Sequence, residues 1–136
     1  MSTPDLARTR GRILVVEDDS DAAYYAVHVL TTVGHFDVVH TFDPVVALHR
    51  ATTEPWNLVL IDVDLPGMTG LELLAALRQA APALPVAVIT AHITSDAIAD
   101  ASRKRADAFL EKPVPPAQLV AVASALIARA AARPSA

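Results

Sequence analysis

Apolar residues along this chain fall into two alternating patterns. Short runs that are apolar at every position, Ile13 to Val16, Leu58 to Ile61 and Val86 to Ile89, have the length and continuity of strands buried on both faces. Between them lie longer stretches with spaced apolar positions and helix punctuation. Residues 12 to 18 predict a strand closed by acids. Asp19, Ser20 and Asp21 then supply capping groups for a helix to about Val33, with Gly34 as its stop. A second strand is expected over 36 to 42, and a helix from Pro44 to about Thr53 that Glu54-Pro55 ends. The third strand, 56 to 62, leads through the turn Leu65-Pro66-Gly67-Met68 to a helix from Gly70 to about Ala80, capped by Thr69. A strand over 85 to 90, a helix over 95 to 105, a strand over 107 to 111 and a last helix from Pro115-Pro116 to about Arg133 complete five βα units.

Fully apolar strands alternating with helices predict an α/β fold, a doubly wound five-stranded parallel sheet covered on both sides. In such open sheets ligands bind outside the carboxyl ends of the strands, near the point where strand order reverses. That rim is where the polar residues gather. The first strand ends in Glu17-Asp18, the third in Asp62, the fourth in Thr90, and the run Phe109-Leu110 leads to Lys112-Pro113.

Composition narrows the chemistry. A chain of 136 residues is one domain by length, with residues 1–11 an N-terminal extension, 12–132 the folded unit and 133–136 a tail. Its hydrophobic fraction of 53% with 19% charged residues excludes an extended disordered protein. Without cysteine there is no disulfide, thiolate site or thiol nucleophile. No apolar run approaches the roughly 18 residues of a membrane span, so a cytoplasmic location and no membrane partner are expected. A net charge of −4 argues against direct DNA binding, and Arg103-Lys104-Arg105 reads as a solvated helix end.

Glu17, Asp18 and Asp62 would bring three negative charges into one crevice, at a cost of several kcal/mol without a compensating cation. Oxygen donors suit Mg2+ (or Mn2+), and there is no His or Cys set for zinc. Helix capping would explain any one of these acids alone. A hydroxyl at Thr90 and an ammonium at Lys112, on two further strand ends, make one site the better account. Lys112 is one of two lysines against nine arginines, which suggests a need for a compact point charge.

The segments VVEDD, LVLIDVDLPGMTG, VITA and FLEKP, in this order and spacing, resemble the receiver domain of two-component response regulators, a flavodoxin-like, CheY-like fold, over roughly residues 12 to 130. The resemblance implies that Asp62 is the phosphoacceptor and that Glu17 and Asp18 are its acidic pair. It further implies Mg2+ held by Glu17, Asp18, Asp62 and the backbone carbonyl of Asp64, with Thr90 and Phe109 as the switch hydroxyl and aromatic. Lys112 matches the family's lysine, with a cis bond to Pro113. The implied partner is a sensor histidine kinase or a histidine phosphotransfer protein, with a downstream protein target on the surface of helix four, strand five and helix five. On this reading the chain is not a turnover enzyme. Asp64 and His92 depart from the usual pattern and would flank the path of attacking water, where they could alter the lifetime of the acyl phosphate.

Two other functions compete with this reading. A phosphorylation-independent interaction module on the same scaffold need not retain all five site residues. A DxD phosphatase of the haloacid-dehalogenase type, imitated by Asp62-Val63-Asp64, has the opposite motif order. The five histidines are scattered and expected to be exposed or packed, while burial is expected of Tyr24, Tyr25 and Trp56.

Overall fold

The computed structural model describes residues 10–63, 69–91 and 95–132. Five parallel strands, β1 (Arg12–Val16), β2 (Asp37–Thr41), β3 (Leu58–Asp62), β4 (Val86–Thr90) and β5 (Ala108–Glu111), form one sheet in the order β2-β1-β3-β4-β5. They alternate with α1 (Ser20–His28), α2 (Pro44–Thr53), α3 (Gly70–Ala80), α4 (Ser95–Arg103) and α5 (Pro116–Ala131). The expected α/β architecture is the one observed. Strand order reverses between β1 and β3, which places the crevice at their carboxyl ends.

Alternation along each strand sorts the core into two layers. Ile13 and Val15 of β1, Leu58 and Leu60 of β3, and Leu110 of β5 pack with α1 and α5 residues such as Ala26 and Leu119. Leu14 and Val16, Val59 and Ile61, and Val86 and Val88 face the other way, toward Ala47, Leu73, Leu77 and Ala101. The same parity carried one step past the strand ends decides which layer each polar end residue joins.

Helix starts obey the local chemistry. The Asp19 side chain accepts from the Ala22 N–H, Asp43 caps α2 ahead of Pro44, and Thr69 forms a capping box with Glu72. Observed strand and helix ends fall within about two residues of expectation, with three physical differences. The first helix does not run as α-helix to Val33: Val29–Val33 is a π-helical turn. There the Thr32 hydroxyl donates to the His28 carbonyl at 2.6 Å, competing with the backbone ladder in a β-branched stretch. The left-handed residue after it is His35, with φ 59°, rather than Gly34. Gly34 is needed for space instead, because a Cβ there would run into the Phe36 ring.

The third difference concerns the tyrosines. Tyr24 is 73% exposed, stacked on His28, and Tyr25 is 39% exposed. Helix α1 meets the sheet through Ala23 and Ala26, small residues that bring it close, and the tyrosines fall outside that stripe. Trp56 is half-buried, with its Nε1–H donating to the Arg50 carbonyl and the Arg12 guanidinium 4.1 Å over its ring.

Candidate functional site

Glu17 follows β1 in step with Ile13 and Val15, Asp62 closes β3 in step with Leu58 and Leu60, and Lys112 follows β5 in step with Leu110. All three therefore emerge on the α1/α5 side of the crevice. Ligand oxygens of Glu17, Asp18 and Asp62 lie within 4.8 Å of one another, with Glu17 and Asp62 buried and Asp18 exposed. Lys112 Nζ donates to Glu17 Oε1 at 2.7 Å and to Asp62 Oδ2 at 3.4 Å. The Lys112–Pro113 bond is cis, as expected.

The electrostatics are those of an overloaded acidic cluster. Burial, the hydrogen bond shared with Asp62 and the charge of Asp62 raise the Glu17 carboxyl from 4.5 to about 7, although its bonds to Lys112 and the Asp19 N–H oppose this. Partial burial pulls the Lys112 ammonium down, but its contacts with Glu17 and Asp62 outweigh that and leave it raised. A buried carboxylate pair that holds a proton near neutrality is short of positive charge. The donor set is all oxygen, which fits a hard divalent cation such as magnesium.

Thr90 and Phe109 lie on the other layer. Thr90 is buried at the end of β4, in step with Val86 and Val88, and Phe109 is half-buried on β5 opposite Val88. Thr90 and Phe109 line one small void with Val63, Leu71 and Ile98. Thr90 and the Phe109 ring thus share the α3/α4 side of the sheet. Asp64, His92 and the turn at 65–68 lie outside the described residues, as do most of the N-terminal extension and the tail.

Two residues near the site escaped the sequence reading. Gly70 opens α3 so close to β3 that a Cβ would overlap the Asp62 carbonyl, and its N–H donates to the Val63 carbonyl at 3.0 Å. Its signal was a glycine at the first helical position, where other residues propagate helix better. His40, expected to be exposed or packed, is half-buried and also donates from Nε2 to the Glu17 carbonyl at 2.7 Å. Nothing in its local sequence signals that contact.

A family model described as Response regulator receiver domain matches residues 13–124. The chain belongs to the response regulator receiver domain family. Among curated relatives, the transcriptional regulatory protein TctD of Salmonella typhimurium is 35% identical over 123 residues, covering 88% of this chain and 53% of that protein. A CheY-like receiver domain protein from Methanospirillum hungatei superposes with a TM-score of 0.83 at 27% identity, over 88% of this chain and 95% of that one. The receiver domain of a sensor histidine kinase from Pseudomonas aeruginosa, solved with magnesium coordinated in its cleft, has a TM-score of 0.80 at 22% identity, over 87% and 98% of the two chains. That last likeness speaks for the fold alone.

Membership of this receiver family sets the chain in two-component signalling. It spans about half the length of the curated relatives it matches, and these bear the names of transcriptional regulators. The expectation of no direct DNA binding is therefore confined to these residues and not extended to any longer protein. Among the described residues no helix is long and apolar enough to cross a membrane.

Proposed function

We propose that this receiver accepts a phosphoryl group on Asp62. The observation that carries the reading is the meeting of the Glu17, Asp18 and Asp62 carboxylates within 4.8 Å, with Lys112 bonded to two of them. A carboxylate oxygen of Asp62 attacks phosphorus, the bond to the donor's imidazole nitrogen breaks, and the departing imidazole takes up a proton. The donor is the phosphohistidine of a sensor kinase or phosphotransfer protein, or a small acyl phosphate, from which the P–O bond breaks and a carboxylate departs in place of the imidazole.

Glu17, Asp18 and Asp62, with the backbone carbonyl of Asp64, would hold the magnesium, which neutralises charge on the transferring group. Lys112, already beside the Asp62 carboxylate, offers a charge-assisted hydrogen bond to a phosphoryl oxygen. The Thr90 hydroxyl turns toward another of those oxygens and leaves room for the Phe109 ring to move inward. That repacking would alter the surface of α4, β5 and α5 that meets a downstream protein. Asp64 and His92 would tune the lifetime of the aspartyl phosphate by their effect on attacking water.

Intact mass after incubation with an acyl phosphate, for wild type and Asp62→Asn, with magnesium or with chelator, tests the proposal. A single phosphate adduct on wild type that requires both Asp62 and magnesium is expected. No adduct on wild type, together with no spectral response to beryllium fluoride, would overturn it in favour of a phosphorylation-independent interaction module.

A further inference from the structure

The β1 ladder ends at Val16, and beyond it the chain must leave the sheet while still aiming two consecutive acids at one crevice. Strand β2, at the sheet edge, manages that departure twice. The Thr41 carbonyl accepts from the Glu17 N–H at 3.2 Å. One residue earlier, the His40 ring reaches across and donates from Nε2 to the Glu17 carbonyl at 2.7 Å. A carbonyl can only accept, so this geometry requires the proton on Nε2. The Phe42 ring packs edge-on against His40 with centroids 4.4 Å apart and steadies the imidazole.

The carbonyl in question belongs to the peptide joining Glu17 to Asp18. A peptide unit is planar, so fixing its oxygen fixes its plane and hence the direction in which the Asp18 Cα and side chain leave. Glu17 is held through its side chain as well, by Lys112 and by the Asp19 N–H at 3.3 Å. Asp18 is exposed, and the orientation of its backbone matters correspondingly more for keeping its carboxylate within reach of the other two.

We infer that His40 is a positioning residue for the acidic site: its Nε2–H fixes the Glu17–Asp18 peptide plane and thereby holds Asp18 in the metal-binding cluster. This inference rests on the phosphoacceptor reading for the identity of the metal. Removing an outer partner of a metal ligand commonly weakens metal binding by ten- to a hundredfold. For His40→Leu, about a tenfold weaker magnesium affinity is expected by calorimetry, together with a shifted Asp18 amide resonance. His40→Gln, which keeps a donor near the Nε2 position, should recover most of the affinity. A long-range proton–nitrogen imidazole spectrum of the wild type should show a proton on His40 Nε2. This measurement needs no variant to fold.

A His40 ring protonated on Nδ1 alone in the wild type would overturn the inference, and so would a folded His40→Leu that binds magnesium as tightly as wild type. Failure of the wild type itself to bind magnesium would instead overturn the phosphoacceptor reading beneath it. The arms of the experiment thus separate the two.

Discussion

Two clusters of buried charge stand at opposite ends of the sheet and are built on opposite principles. At the amino ends of β4 and β5, Arg78 of α3 is almost fully buried with its donors distributed among ready acceptors. Its Nε donates to the Arg105 carbonyl at 2.9 Å, Nη1 to the Leu84 carbonyl at 2.5 Å, and Nη2 to Asp107 Oδ2 at 2.6 Å. The same Asp107 oxygen accepts the Val86 N–H at 2.8 Å. One positive and one negative group satisfy each other and tie α3 to the starts of two strands.

At the carboxyl ends, three carboxylates converge and Lys112 meets two of them. Glu17 responds by holding its proton up to about 7. The balanced cluster contributes stability, whereas the unbalanced one costs stability. The difference teaches that burial of charge alone does not mark a functional site. An excess of one sign is the stronger pointer to one.

Breaking the balanced cluster should have the largest effect. Arg78→Leu strips Asp107 and two carbonyls of their donor, and a loss of about 3–5 kcal/mol is expected in urea unfolding. A loss under about 1 kcal/mol would mean that the two clusters do not differ in this way. Magnesium affinity of the folded fraction should stay at the wild-type value.

Relieving the unbalanced cluster should do the reverse. A carboxyl raised in the folded state favours folding below its unfolded value of 4.5, and that contribution disappears as pH rises through about 7. Metal-free protein should therefore lose stability between about pH 5 and 7 through this group. Glu17→Gln should abolish that slope and gain about 2 kcal/mol at pH 8, after allowance for solvent screening. Thermal melts at pH 5 and pH 8 in chelator read both quantities. An unchanged slope would show that Glu17 is not the group under strain.

An effect of similar size is expected where the scaffold meets the site. Gly70→Ala forces a methyl group against the Asp62 carbonyl, and relief by backbone shifts should cost about 1–3 kcal/mol. On the phosphoacceptor proposal the same shift should slow phosphorylation of Asp62, which distinguishes it from Arg78→Leu. Smallest is Tyr25→Phe, which deletes the hydroxyl donating to the Val114 carbonyl at 2.5 Å, worth about 1 kcal/mol in denaturant. It should leave the Glu17-dependent pH slope in place.

Much of this molecule could be read from the chain. Fully apolar runs of strand length, caps such as Asp19, Asp43 and Thr69, and Pro44 at a helix start are local features whose physics operates over a few residues. They determined five βα units and put Glu17, Asp18, Asp62, Thr90 and Lys112 on one rim. The order and spacing of the motifs carried the family. The tyrosines of α1 misled because spacing alone does not say that Ala23 and Ala26, rather than the bulkier neighbours, form the contact face.

Only the tertiary structure decided what depends on distance between elements. Whether Thr90 shares a layer with the acids follows from strand parity together with strand order, and neither is printed in a local segment. Gly70 against the Asp62 carbonyl, His40 on the Glu17 carbonyl and Arg78 on Asp107 join residues 8 to 29 positions apart. Those contacts exist because neighbouring parallel strands lie about 5 Å apart and bring their ends together. Sequence determined which groups would meet at the rim, and packing decided which of them share a layer and which partners each one meets.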